Sequence, residues 1–205
     1  MKVSVLFVQG AGSGAYEADQ NLATSLQRML GGSNYDVIYP KMPNEDSPAY
    51  KPWANEIAKN LFGLRGEIVL VGHSFGGAML LKFLSEETIK PSVASLFLIA
   101  TPFVGADENW RGDAFALEPD FAGKLSGITQ ISLYHSRDDD IVPFAHLALY
   151  ARSLPQAAVR KFRSRGHQFA NDLSEVAADI AKAVRPQAKR LWGPRSPSGQ
   201  AYPTN

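Results

Sequence analysis

The sequence predicts a single α/β domain whose mainly parallel sheet has about six strands, with helices on both faces. Short apolar runs alternate along the chain with segments whose apolar residues repeat every three to four positions. Several runs are apolar at consecutive positions, as expected for strands that are covered on both faces. The chain has 205 residues, which is a length typical of one domain.

Each predicted strand is a short run rich in β-branched and other apolar residues and bounded by polar residues, glycine or proline. The connections between these parallel strands are expected to be right-handed. The predicted strands are Val3–Val8, Asp36–Tyr39, Glu67–Val71, Val93–Ala100, Thr129–Tyr134 and Ala158–Phe162.

The helices between these strands are predicted from apolar residues spaced at i, i+3, i+4 and i+7, which form one buried face of a helix. The first of them ends at Gly31-Gly32, since glycine is common just past a helix C-terminus. The apolar faces are Leu22, Leu26 and Met29; Trp53, Ile57 and Leu61; Leu147, Tyr150 and Leu154; and Phe169, Leu173, Val176, Ile180 and Val184.

Composition and charge exclude several classes of protein. With no cysteine, the chain has no disulfide framework, cysteine nucleophile or thiolate metal site. The net charge of +1 does not favour nucleic acid binding. No apolar run is long enough to span a membrane. The run after Lys2 is shorter than the roughly 7–15 residues of a signal-peptide core, so we expect a cytoplasmic protein.

Two segments depart from the strand and helix pattern. Residues 101–125 form the longest connection and are rich in aromatic residues, which are expected either to form a small cap or to pack onto the core. Residues 186–205 are rich in Pro, Gly, Ser and basic residues, so we expect a domain at 1–185 followed by a basic tail that is dispensable for catalysis. A protein partner for this tail remains an alternative.

The most informative motif is Gly72-His73-Ser74-Phe75-Gly76, a G-x-S-x-G pattern between a predicted strand and a predicted helix. A nucleophile on such a sharp turn needs small residues two positions before and after it, because strand and helix crowd there, and Gly72 and Gly76 meet that need. The helix that follows directs its N-terminal amides toward the serine, so the Phe75 N–H is a candidate oxyanion donor. Ser74 is therefore the candidate nucleophile.

Partners for this serine follow in the order that a hydrolase of this architecture needs. Three carboxylates, Asp138-Asp139-Asp140, come just after the fifth strand, and His167 comes just after the last strand. The carboxyl ends of parallel strands meet at one edge of the sheet, so Ser74, one of these acids and His167 are expected to converge there.

Nearly the whole chain, from Val3 to about Val184, resembles the α/β-hydrolase superfamily. The resemblance rests on Gly72–Gly77, on the D-x-x-V-P pattern Asp139–Pro143 and on Gly166-His167. The compact size looks most like the small single-domain serine hydrolases related to retinoblastoma-binding protein 9 and bacterial carboxylesterases. The resemblance implies a three-layer fold with strand order 2-1-3-4-5-6 and a minimal cap or none. It also implies a triad of Ser74, Asp139 and His167.

The resemblance also implies an enzyme that cleaves small acyl esters, with no cofactor and no metal. The superfamily often has His-Gly after the first strand, where this chain has Gln9-Gly10, but the Ala11 N–H can still be the second oxyanion donor. The expected pocket residues are Gln9, Gly10, His73, Phe103 and Trp110.

The residues leave other interpretations open. Gly10, Gly12 and Ala15 also fit G-x-G-x-x-G/A, a nicotinamide-dinucleotide fingerprint, although the second strand lacks the expected acid at its end. A metal site from His135 with Asp138–Asp140 is conceivable but has no second ligand cluster. A low-turnover binding protein of the same fold is a third alternative.

The pattern match favours Asp139 as the triad acid. Asp140 is nearer the next helix, where a carboxylate can cap free amides, and Asp138 is expected to be solvated.

Overall fold

Six parallel strands form one sheet in the computed structural model of the chain, which describes residues 2–32, 34–88 and 92–184. The strands are β1 (Val3–Val8), β2 (Tyr35–Ile38), β3 (Ile68–His73), β4 (Val93–Ile99), β5 (Gln130–Ser136) and β6 (Ala158–Phe162). Their order in the sheet, β2-β1-β3-β4-β5-β6, is the predicted one, so the expected α/β architecture is confirmed.

Two strands run further than their apolar residues predict. β3 continues to His73, which pairs with Ile99, and β5 continues to Ser136, which pairs with Phe162. A ladder is made by backbone groups, so it extends through polar residues wherever a neighbouring strand is still beside it. Both extensions carry polar side chains to the carboxyl edge of the sheet.

Helices cover the two faces of the sheet and bury separate apolar clusters. The helices are α1 (Ala15–Leu30), α2 (Tyr50–Phe62), α3 (Phe75–Glu86), α4 (Phe121–Lys124), α5 (Ala145–Ser153) and α6 (Ser174–Ala183). On one face, α1 and α6 pack over Val5, Phe7 and Val71. On the other face, α2, α3 and α5 pack over Leu6 and Val8, because alternate residues of a strand point to opposite faces of the sheet.

The connection at 101–125 is a packed loop, not a cap. It contains two short 3₁₀ turns and α4, and Phe121 is buried in the cluster beneath α2 and α3. Lys82 of α3 donates to the Ala116 carbonyl oxygen at 2.9 Å, which ties the loop to the domain.

Within the described ranges, no helix is both long enough and apolar enough to cross a membrane. The basic tail predicted at 186–205 lies outside the described residues.

Candidate active site

Ser74 lies at the turn that joins β3 directly to α3, in a backbone conformation that is rare for a residue with a side chain. Its φ is 50° and its ψ is −128°. The turn is held on both sides, because the Ser74 N–H donates to the Ile99 carbonyl at 2.8 Å and the Gly77 N–H donates to the Ser74 carbonyl at 3.0 Å. Positive φ of this kind costs free energy and persists where the surrounding structure enforces it.

Two glycines make this turn possible because the chain around it leaves no room for a Cβ. A Cβ on Gly72 would lie 2.5 Å from the Gly77 Cα, and a Cβ on Gly76 would lie 2.2 Å from the Gln9 carbonyl oxygen. Backbone atoms cannot move out of the way as a flexible side chain can. The close packing of β1, β3 and α3 therefore requires glycine two residues before and two residues after Ser74.

The loop after β1 lies directly against Ser74. A Cβ on Gly10 would lie 3.1 Å from the Ser74 Cβ, so the backbone approaches the serine closely. The Gly12 N–H is occupied by the Glu45 carbonyl oxygen at 2.7 Å. Among the described residues, the N–H groups of Ala11 and Phe75 have no such protein acceptor, which leaves both available to a ligand at Ser74. Gly10 and Gly12, which fit the nicotinamide-dinucleotide fingerprint, lie in this same loop.

His167 and Asp139 are brought together from loops after β6 and β5. The His167 Nδ1 lies 3.0 Å from each Asp139 carboxylate oxygen, so Nδ1 carries the proton and Nε2 of the neutral ring is left as an acceptor. His167 and Ser74 line the same cavity, with no direct hydrogen bond between their side chains. Such contacts commonly tighten only when substrate is bound.

Asp139 is enclosed by donors. Its side chain is fully buried, its Oδ1 accepts the N–H groups of Ile141 (3.0 Å) and Val142 (2.8 Å), and its Oδ2 lies 3.2 Å from the His135 Nε2. Burial alone would raise the pKa of the Asp139 carboxyl, but hydrogen bonds from His135 and His167 hold that pKa well below its usual range. The carboxylate is therefore ionised at neutral pH.

These contacts show that the expected capping role of Asp140 is wrong. The amides ahead of α5 are capped by Asp139, whereas Asp140 is exposed and accepts no hydrogen bond among the described residues. The chain turns sharply after Asp139, so that its side chain reaches both the histidine and the following amides.

Asp138 is also not merely solvated. Its Oδ1 accepts the Ser136 hydroxyl (2.5 Å) and the backbone N–H groups of Arg165 (3.1 Å) and Gly166 (3.0 Å). The Arg165 N–H also donates to the Ser136 Oγ at 2.8 Å. Asp138 and Ser136 thus hold the loop that carries His167 against the end of β5.

Replacing Asp138 with alanine is expected to lower kcat by about tenfold, because displacement of a reacting group by a fraction of an ångström has effects of this order. All three hydrogen bonds end on Oδ1, so Asp138→Asn can keep them and should retain most of the activity. Steady-state kinetics on both variants test this prediction. Equal activity of Asp138→Ala and the unchanged protein would contradict it.

A cavity of about 280 Å³ opens beside Ser74 and His167. Gly10, His73 and Trp110 line it as expected, together with the exposed Ile141. Gln9 and Phe103 are not on its wall. The Gln9 side chain is buried under the loop, where its Nε2 donates to Glu45 and its Oε1 accepts the Met42 N–H. The Phe103 ring packs on Tyr150.

Trp110 reaches the cavity from the 101–125 loop, which is fastened to α5. The Asp107 Oδ1 accepts the Asn109 and Trp110 N–H groups, and its Oδ2 accepts from the His146 Nε2 at 2.9 Å. The His146 Nδ1 in turn accepts the Phe103 N–H at 2.9 Å. The tryptophan is therefore placed by contacts within the loop and with one helix.

Sequence reasoning missed Asp19, which lies on the wall of the cavity beside Ser74. Its Oδ2 accepts the Gly10 N–H (2.8 Å) and contacts the His73 Nδ1 (2.8 Å), and its Oδ1 accepts from the Gln168 Nε2 (3.1 Å). Asp19 lies three residues before Leu22 on the apolar face of α1, and a carboxylate on a buried stripe is a signal that could have identified it.

Residues 27–172 match the model of a family described as serine hydrolase. No curated protein matches the chain in sequence.

The fold is similar to that of solved structures at low identity. The ydeN gene product of Bacillus subtilis is 19% identical with a TM-score of 0.63, over 89% of this chain and 97% of that one. The esterase domain of a Rhodothermus marinus protein is 15% identical with a TM-score of 0.58, over 88% and 83%. Est1E of Butyrivibrio proteoclasticus is 13% identical with a TM-score of 0.65, over 88% and 86%.

Proposed function

This chain belongs to the serine hydrolase family, and on that premise we propose that it cleaves small carboxylic esters through an acyl-enzyme on Ser74. The observation that carries the proposal is the convergence at one cavity of the strained Ser74 turn and the hydrogen-bonded pair of His167 and Asp139. The low-turnover and dinucleotide-binding alternatives have no comparable arrangement in their favour.

In the proposed reaction, the His167 Nε2 takes the Ser74 hydroxyl proton as Oγ attacks the ester carbonyl carbon. The carbonyl oxygen becomes an oxyanion, held by the Ala11 and Phe75 N–H groups. Collapse of this intermediate breaks the bond to the alkoxy oxygen, which leaves as an alcohol with the proton from His167. Asp139 fixes the ring orientation and supports its transient positive charge.

Deacylation repeats these steps with water as the nucleophile. His167 accepts a proton from water as its oxygen attacks the acyl carbon, and the proton then passes to Ser74 as the carboxylic acid leaves. The water and the alcohol use the same space, so a cavity open to solvent serves both half-reactions.

Covalent labelling tests the role of Ser74 directly. A fluorophosphonate should add one phosphonyl group to the folded protein, located on Ser74 by peptide mass spectrometry, and p-nitrophenyl acetate should be turned over. A folded protein that neither reacts with the fluorophosphonate nor hydrolyses the ester would instead support the binding-protein alternative.

Short acyl chains are expected to be the best simple substrates. The cavity of about 280 Å³ is at the small end of ligand pockets, which span roughly 300–1,000 Å³, and no cap extends it in the part of the chain that the structure describes. In a series of p-nitrophenyl esters, kcat/KM should be highest for acetate or butyrate and should fall for longer chains. Higher kcat/KM for decanoate or laurate esters would refute the small-pocket inference.

A further inference from the structure

A second histidine–carboxylate pair, Asp19 and His73, lies behind the proposed triad. Each side chain is only 1% exposed. The His73 Nδ1 is 2.8 Å from the Asp19 Oδ2, and its Nε2 is 3.0 Å from the His167 carbonyl oxygen. The reaction proposed above assigns no chemical step to either residue.

The partners of this ring determine its charge. A carboxylate and a backbone carbonyl are both acceptors with no proton to give, so both ring nitrogens of His73 must donate. A ring that donates from both nitrogens is an imidazolium. A neutral ring would place a lone pair against one of the two oxygens, and at about 3 Å that contact would be repulsive.

The surroundings of the pair are consistent with an ionised state. Burial opposes the charge on His73, but the Asp19 carboxylate and the hydrogen bonds to Asp19 and the His167 carbonyl raise the pKa of the ring above its usual range. Burial likewise opposes ionisation of Asp19, but His73 and the Gly10 N–H lower its pKa. Asp139 also favours the cation, whereas the His167 ring, with its centroid 4.8 Å away, would oppose it if protonated.

The pair connects the three segments that must meet at Ser74. Asp19 holds the Gly10 N–H, one residue before the Ala11 oxyanion donor. His73 immediately precedes the nucleophile, and its Nε2 holds the backbone of His167. Asp19 also holds the Gln168 side chain, one residue after that histidine. One buried pair therefore contacts the oxyanion loop, the nucleophile turn and the histidine loop.

We propose that Asp19 and His73 are positioning residues whose ionised pair sets the oxyanion loop and the His167 loop relative to Ser74. Without the charge, His73 has a single N–H and must release either Asp19 or the His167 carbonyl, so one of the two loops loses its anchor. The inference rests on the proposed function, because positioning has meaning only if these loops serve the reaction at Ser74.

The charge state is tested on the unchanged protein by nuclear magnetic resonance, with histidine nitrogens labelled. His73 should show two ring N–H protons at pH 8, identified by their disappearance in His73→Gln. Burial should slow their exchange with water enough to detect them. A single ring N–H proton at that pH would overturn the proposal, whatever the activity of the protein.

The positioning role is tested with Asp19→Asn, which keeps the shape and removes the charge. An amide oxygen at Oδ2 can still accept from Gly10 and His73, and the amide nitrogen at Oδ1 can donate to the Gln168 Oε1 once that amide turns over. The Gln168 Oε1 is a buried acceptor with no partner among the described residues. The variant should therefore fold.

We expect Asp19→Asn to lower kcat for p-nitrophenyl acetate by about 100-fold, the scale of a small misplacement of reacting groups, with KM within about twofold. The His73 ring should lose one of its two N–H protons in the same variant. The matched control is Glu17→Gln on the exposed side of α1, where Glu17 pairs with Lys41. The control should leave kcat unchanged.

A folded Asp19→Asn protein with unchanged kcat would overturn the positioning role. So would a variant that retains both N–H protons on His73. These failures are distinguishable from failure of the proposed function, because that would show as absent fluorophosphonate labelling of Ser74 in the unchanged protein while the ring-proton measurement still reports on the pair.

Discussion

Ser74→Ala is expected to abolish nearly all hydrolysis of p-nitrophenyl acetate, with kcat reduced by about 10⁶-fold, the scale measured when a hydrolase loses its serine nucleophile. The remaining groups can still bind substrate and stabilise an oxyanion, but they have no oxygen to attack the carbonyl carbon. The backbone hydrogen bonds of the turn to Ile99 and Gly77 do not involve the hydroxyl, so the variant should stay folded. Initial rates, a fluorophosphonate label and a melting curve together test this expectation.

Ser126→Ala is the matched control for that variant, because Ser126 is exposed and distant in the fold from the cavity. It should keep full activity and full labelling. If Ser74→Ala keeps more than a few per cent of the activity in a preparation free of contaminating esterases, Ser74 is not the nucleophile.

Asp139→Asn is expected to lower kcat by about 10⁴-fold, as when a triad carboxylate is neutralised and the histidine takes the wrong tautomer. An amide oxygen at Oδ1 can keep the N–H groups of Ile141 and Val142, which leaves the NH₂ group at Oδ2. The His167 Nδ1 is 3.0 Å from both positions, and a ring that accepts from the NH₂ group carries its proton on Nε2. Protonated at Nε2, a neutral His167 cannot take the proton of Ser74.

The neighbouring variant Asp140→Asn is the control for this prediction, since it makes the same chemical change one residue away. Asp140 has no hydrogen bond to lose among the described residues, so kcat and the melting temperature should both stay near those of the unchanged protein. Comparable kinetics for Asp139→Asn and Asp140→Asn would show that Asp139 is not the triad acid.

Much of the fold was predictable because it depends on local pattern. Apolar runs predicted all six strands and helical stripes predicted helices between them, whereas the order of the strands came from the resemblance to the α/β-hydrolase superfamily. The glycines around Ser74 predicted its turn, because the steric requirement at Gly72 and Gly76 belongs to any strand that passes directly into a helix.

The contacts that could not be predicted join residues far apart in sequence. Asp138 binds the backbone of Arg165 and Gly166, 27 and 28 residues later, and Asp19 binds His73, 54 residues later. The repeat of apolar residues along a helix or strand gives no information about such pairs. Among three adjacent aspartates, the direction of each side chain depends on the turn after β5, so the cap was assigned to Asp140 when Asp139 supplies it.

The hydrogen bonds that position the Trp110 turn have a consequence for how such an enzyme can be redesigned. The floor of the cavity is made by strand ends and by glycine turns that leave no room for a Cβ. The part of the wall that Trp110 forms is instead held by Asp107, His146 and the Phe103 amide. Substitutions at Trp110 can therefore change which acyl or alcohol groups are admitted without moving Ser74, Asp139 or His167, so substrate range has room to diverge faster than chemistry.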